Sequence, residues 1–331
     1  MQPSFGRMAV VLALSLVLGT LPARATPLSG DEILKQFNLV VFGNLDSTSE
    51  VEGRTYVGGN LTGSSSTYFT RGPQVAPSDY EALTVGGNVT GGDKNLNNGG
   101  SAVIGGNLDA RINLNGSGGM RYVAGNVNVP QNGPTVTGPV TIPDFQGTLT
   151  QLSVDLAGLS ANSTATITSN RGIFTGMPDS DGLAVFLIDG PAFFNSIGEL
   201  DFKLNGATTV IVNIAGTALT IAENFLGGIG ETIAPYVLWN FVEATSITFG
   251  AEFFGSILAP YASITNSNSL NGSVVAANFT QRGEVHLPVF AGDLPEPSDK
   301  RIEVPEPATA LLLLPGVAGL LAVRRRMRRP R

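Results

Sequence analysis

The side chains that could do chemistry are few. His286 is the only histidine in 331 residues. On a strand it shares one face with Glu284 and Arg282, because alternate residues point the same way. A Ser-His-Asp triad would have to use this histidine, yet no Gly-x-Ser-x-Gly elbow is present. A polar residue in the terminal coil, near the C-terminal linker, is the simpler account of it. The chain has no cysteine, which removes disulfides, thiolate metal sites and Cys nucleophiles together. Zinc needs at least three clustered ligands, and one His without Cys supplies no such set. Asp179-Ser180-Asp181-Gly182 pairs two carboxylates ahead of a glycine, as calcium loops often begin. Asp179 and Asp181 are therefore the calcium candidates, although the Glu that closes an EF-hand loop is missing and a solvated turn fits as well. The expectation is a protein without catalytic residues or cofactor.

The amides are better organised than the acids. Val57-Gly58-Gly59-Asn60-Leu61 returns as Val85-Gly86-Gly87-Asn88-Val89 and as Ile104-Gly105-Gly106-Asn107-Leu108. Val123-Ala124-Gly125-Asn126-Val127 is a fourth copy with Ala for the first Gly. From Asn to Asn the steps are 28, 19 and 19 residues. Repetition near this length marks a solenoid, in which each unit stacks on the last. Each copy reads as strand, corner, strand, with Gly and Asn supplying backbone angles that other residues avoid. In a solenoid the four asparagines stack. Turned inward they form a structural ladder; turned outward they present a polar surface. No regular Thr-x-Thr series runs along the chain.

Elements that position these residues follow from composition and period. Glycine is 42 of 331 residues and charged residues are only 14%, the balance of a secreted β-rich protein with many corners. Phe145, Leu149, Leu152, Leu156 and Leu159 step by four and three, which predicts one amphipathic helix over 144–159, started by Asp144. Its apolar stripe must lie against something, and a flank of the solenoid is the natural partner. In the second half, 183–188, 208–214, 218–221, 236–241, 247–249, 255–258 and 272–276 read as short strands. Gly255-Ser256-Ile257-Leu258-Ala259 and Gly272-Ser273-Val274-Val275-Ala276 form a second repeat pair, 17 residues apart. The predicted fold is mainly β: a right-handed parallel β-helix with the helix packed along it.

The ends read as addresses. Arg7, the apolar run Met8–Leu18 and Ala23-Arg24-Ala25 have the form of a signal peptide over 1–25, cleaved after Ala25. A Pro-rich linker over 293–303 follows the body, which spans 26–292. Next come Val304-Pro305-Glu306-Pro307, an uncharged apolar stretch over 308–323, and a terminal Arg cluster. That stretch reads as a transmembrane segment with its arginines on the cytoplasmic side. Of 19 basic residues, two lie in the leader and six after Val323, leaving 11. Of 26 acidic residues only Glu306 lies beyond residue 303, leaving 25, so body and linker together, residues 26–303, carry about −14. An acidic body without a basic stripe argues against nucleic acid.

Two resemblances gather these features. The tail, from Val304-Pro305-Glu306-Pro307 to the closing arginines, resembles the PEP-CTERM sorting signal of Gram-negative bacteria. That resemblance implies recognition by an exosortase-type enzyme at the inner membrane and association with exopolysaccharide and biofilm matrix. Phe37-Asn38-Leu39-Val40-Val41-Phe42, Val51-Glu52-Gly53-Arg54 and the first Gly-Gly-Asn corner resemble the start of the choice-of-anchor A domain. Leu238-Trp239-Asn240-Phe241, Gly255–Pro260, Asn271–Ala276 and Gly283-Glu284-Val285-His286 resemble its end. This family is an adhesin domain related to ice-binding-like β-solenoids. It implies an exported, non-catalytic adhesive or structural protein of the cell surface or extracellular matrix. A carbohydrate-active enzyme on a β-helix and an ice-binding surface are the alternatives.

Overall fold

The computed structural model describes residues 28–295. The segments read as a signal peptide, a sorting motif and a membrane-spanning stretch over 308–323 lie outside the described residues, as does the expected linker from residue 296 onward. Among the described residues no helix is long and apolar enough to cross a membrane.

The protein is mainly β, and its strands stack in parallel to make three sheets of 15, seven and four strands. The only antiparallel pairing among these registers is the hairpin of Thr164–Thr168 with Arg171–Thr175. The expected strands are present, and Ile257 pairs with Val274 across the 17-residue repeat. One coil contributes a strand to the long sheet, turns through a corner, contributes a second strand, and passes on to the seven-stranded sheet. In the first coil these strands are Leu39–Val41, Leu45–Ser47 and Glu50–Val51.

The order of coils is not the order of the chain. Leu39–Val41 lies in the middle of the long sheet, between Thr55–Val57 on one side and Val274–Gln281 on the other. From there the chain builds outward through Leu83–Val85, Ala102–Ile104 and Arg121–Val123 to Thr135–Thr137 at one end. It then crosses back over the flank, starts again at Leu183–Asp189 at the opposite end, and climbs to meet its own first coil. Asn38 fastens this seam and is fully buried. Its Nδ2 donates to the carbonyls of Gly272 (2.8 Å) and His286 (2.9 Å), and its Oδ1 accepts from Gly53 N–H.

The return crossing is the predicted helix. The capping box of Ser29 and Glu32 opens a first helix, α1 (Gly30–Gln36). The second, α2, covers Gln146–Ala157. It is shorter than expected at both ends, and Phe145 rather than Asp144 is its N-cap, with no side-chain cap; Asp144 Oδ1 accepts Gln146 N–H at 3.0 Å just outside the helix. Twelve residues span about 18 Å, close to four strand spacings of about 4.8 Å. Leu149 and Leu156 are buried and Val154 is exposed, as the stripe requires. Within each three-residue strand the outer residues enter the coil interior and the middle one points out. Val40 and Tyr56 are such middle residues; with Val275, Leu258, Leu238 and Ile211 of the longer strands, and with α1, α2 and Phe290, they form a second core outside the coils. Two buried asparagines fix the helix along the stack. Ser153 Oγ donates to Asn240 Oδ1, Asn240 Nδ2 donates to Asn213 Oδ1, and Asn213 Nδ2 donates to the Leu156 carbonyl.

Side-chain amides also close sheet edges. Gln131 accepts from Ile112 N–H and donates to the Ala110 carbonyl at one end. Asn162 accepts from Val185 N–H and donates to the Leu183 carbonyl at the other. Each amide substitutes for the next strand, which an open edge would otherwise recruit from another chain.

Candidate functional site

The repeated corners are one margin of a continuous polar face. In register, Asn278 lies beside Asn44, and Asn44 beside Asn60. The column goes on through Asn88, Asn107 and Asn126. Each backbone N–H donates to the side-chain oxygen of the preceding asparagine, at 3.0, 2.9, 2.8, 2.7 and 2.9 Å from Asn44 to Asn126. The ladder thus holds six asparagines, two more than the repeats announce. It lies on the surface rather than inside, yet its oxygens are committed to the stack, so the inward and outward readings each hold in part.

The reason for glycine at these corners differs from the expected one. None of the corner glycines or asparagines has positive φ. Instead the coils approach too closely for a side chain. A Cβ on Gly87 would lie 2.5 Å from Asn60 Oδ1 and 2.7 Å from the Gly59 carbonyl oxygen. Gly58, Gly59, Gly86, Gly105, Gly106 and Gly125 face the coil before them in the same way.

Two residues beyond the asparagines runs a second column, which the sequence reading missed. Thr220, Thr248, Thr265 and Thr280 align in consecutive coils. Asp46, Thr62 and Thr90 extend the line across the seam. Ala218, Ser246, Ser263 and Asn278 stand in the first column of the same four coils, ahead of Asn44. The residues between the columns, such as Ile247, Ile264 and Leu61, are buried. Rungs in such a sheet repeat every ~4.8 Å and the two columns stand about 6.6 Å apart. The repeated tripeptide Ser246-Ile247-Thr248 and Ser263-Ile264-Thr265, with the same 17-residue step as the Gly-Ser pair, was the available signal.

The acids and the histidine meet elsewhere. His286 is not in a terminal coil: its strand, Val285–His286, pairs with Leu270–Asn271 and, on the other side, with Glu50–Val51 of the first coil. The end of the body lies mid-stack, so nearness to the linker did not mean nearness to an end. His286 Nε2 meets Glu284 Oε2 at 2.5 Å and Nδ1 meets Asn271 Oδ1 at 3.1 Å. Arg282 does not join them; it pairs with Asp46 at 2.7 Å on the polar face. A groove of about 850 Å³ runs past Glu50, Glu284, His286, Glu231 and the Glu52–Arg71 ion pair. Burial, and next the Glu284 carboxylate beside it, push the Glu50 carboxyl above its ordinary value. Both histidine nitrogens are engaged, and an acidic groove repels acidic polysaccharide.

Asp179 and Asp181 sit in a turn. Asp179 Oδ1 accepts the N–H groups of Asp181 and Leu183, both at 3.0 Å, so this carboxylate closes the loop. Among the described residues no three His, Asp or Glu side chains are grouped to hold a metal ion.

Residues 30–287 match a family model described as Putative Ice-binding-like adhesive domain. The chain belongs to this family. Comparison with curated proteins and with solved structures yields no match. In this ice-binding-like adhesive domain the described geometry supplies one extended polar face, one acidic groove and a helix-covered flank. An adhesive domain of this kind is compatible with a place at the cell surface or outside the cell.

Proposed function

We propose that the protein is an exported, non-catalytic component of the cell surface or extracellular matrix, adhesive or structural in role. The two-column polar face carries this reading. It offers many equivalent hydrogen-bonding rungs on a rigid frame, and many weak contacts made together give avidity that no single contact has. On the resemblances of its body and its tail, the protein is a choice-of-anchor A type, wound as a right-handed β-helix. It is exported through the inner membrane and sorted by Val304–Pro307 through an exosortase-type enzyme, with exopolysaccharide or other matrix components as partners. Replacing Thr248, Thr265 and Thr280 together by valine removes the hydroxyls and keeps the shape. Adhesion of cells or coated beads should fall at least tenfold, with the thermal transition within a few degrees of the parent. Undiminished adhesion would overturn the assignment of the face.

The threonine column also favours a second reading, a water-ordering surface that binds ice. Thermal hysteresis of the full chain, abolished by the same triple substitution, would support it in place of adhesion.

A further inference from the structure

We infer that the half of the face built by the C-terminal coils is a docking strip for a neutral polysaccharide, with Tyr261 as its stacking platform; this rests on the adhesive reading above. Four consecutive rungs, from Ala218/Thr220 to Asn278/Thr280, carry no charge. The next rung holds Asp46, which Arg282 neutralises. Thr220, Ser246, Thr248, Ser263 and Thr265 are exposed.

The chemistry of this strip selects its partner by elimination. A protein interface needs an apolar centre, which a strip of hydroxyls lacks. Nucleic acid and anionic lipid need cations, and the strip offers none. A hydroxyl both donates and accepts, so a row of them matches a polymer of hydroxyls. The rung spacing of about 4.8 Å repeats along the stack, so a chain lying along the columns makes the same contacts at each step.

Tyr261 supplies the contact area that hydroxyls cannot. The pairing of Ser256–Asn266 with Val274–Gln281 shifts between Ala259 and Ser263. The extra residues of that corner carry Tyr261 out beside Ser263, where it is 50% exposed. Tyrosine presents a rigid, amphipathic surface at low entropic cost, suited to the apolar face of a sugar ring.

The experiment uses the full chain and measures binding to a soluble neutral β-glucan and to alginate, at low and high salt, by affinity electrophoresis and calorimetry. The glucan should bind with little salt dependence and alginate should not. Tyr261→Ala and Thr248→Val/Thr265→Val should each weaken binding about tenfold. Tyr261→Phe, and Tyr236→Ala at the other exposed tyrosine, should bind as the parent does. Thermal melts establish that each variant is folded. Preference for alginate, absence of glucan binding, or unchanged binding by folded Tyr261→Ala would overturn the inference. If glucan binding is absent while adhesion still depends on the threonines, only the ligand class falls. If adhesion is also indifferent to the threonines, the functional reading falls with it.

Discussion

Lys94 gives the sharpest test of how the coils are held. The side chain is fully buried, and its Nζ donates to the carbonyls of Thr62, Gly63 and Ser64 at 3.3, 3.2 and 2.7 Å. Burial outweighs the favourable fields of Asp46 and Asp93 and lowers its pKa to about 8 from 10.5. The sign follows from proton counting: between these two values the unfolded chain binds the proton and the folded chain does not. Stability therefore rises with pH across this window. For one group shifted by this amount, the rise from pH 7 to pH 10 is about 2.5 kcal/mol at ~1.36 kcal/mol per unit. Tyr56 and Tyr68, both buried and raised to about 12, act oppositely, since their contribution is lost as pH climbs above 10. Urea unfolding of the body at half-unit steps from pH 7 to pH 10, for the parent and Lys94→Met, isolates the lysine. The parent should gain about 2 kcal/mol more than the variant over that range. Equal slopes would refute the argument.

Other expectations concern packing. Gly87→Ala forces a methyl against Asn60 and the Gly59 carbonyl and should cost about 1–3 kcal/mol in unfolding free energy. Gly147→Ala meets nothing within 4 Å on α2 and should raise stability by up to about 1 kcal/mol; a loss there would contradict the exposed helical setting. Ser153→Ala removes one of the buried bonds that lock α2 to Asn240 and should cost about 1–3 kcal/mol, seen as a lower melting temperature. The raised Glu50 carboxyl favours folding below the unfolded carboxylate value and loses that contribution as pH rises through its folded value. Glu50→Gln should therefore gain melting temperature over the parent at pH 7 relative to pH 4, and an equal difference at both would count against a raised Glu50 carboxyl, whether burial or Glu284 raises it.

Local features were legible because their causes are local. The 3–4 spacing from Phe145 to Leu159 states a helix with one buried stripe, and Phe145, Leu149 and Leu156 are buried while Leu152 and Leu159 are half-buried. The Gly-Gly-Asn corners mark equivalent points of successive coils, and their asparagines do stack. What stayed hidden depends on partners distant in sequence. Nothing near Val40 says that Val275 is its neighbour, so the interrupted coil order and the central place of His286 were out of reach. The threonine column escaped because its rungs are separated by corners and loops of unequal length. The buried Lys94 and Arg121 carried no signal either. They are polar residues on otherwise alternating strands, and only the stacked loop carbonyls explain them. Arg121, fully buried, donates to the carbonyls of Ile112, Asn132 and Gly133.

A chain that starts in the middle of its own stack has a particular order of assembly. During synthesis the first half emerges first, and its coils can pair outward from Leu39–Val41 as they appear. One side of that first strand then stands open until residues 274–276 arrive. Asn44 waits across 234 residues for Asn278 to meet its N–H. Loop closure over such a distance is slow, and an open parallel edge is a template for the wrong partner, including the same edge of another chain. Joining Asp293 to Ser29, which Lys35–Asp293 and the groove under Leu294 already bring close, and opening the chain after α2 would make the coils sequential. Such a permutant should refold faster and aggregate less, with the finished stack unchanged.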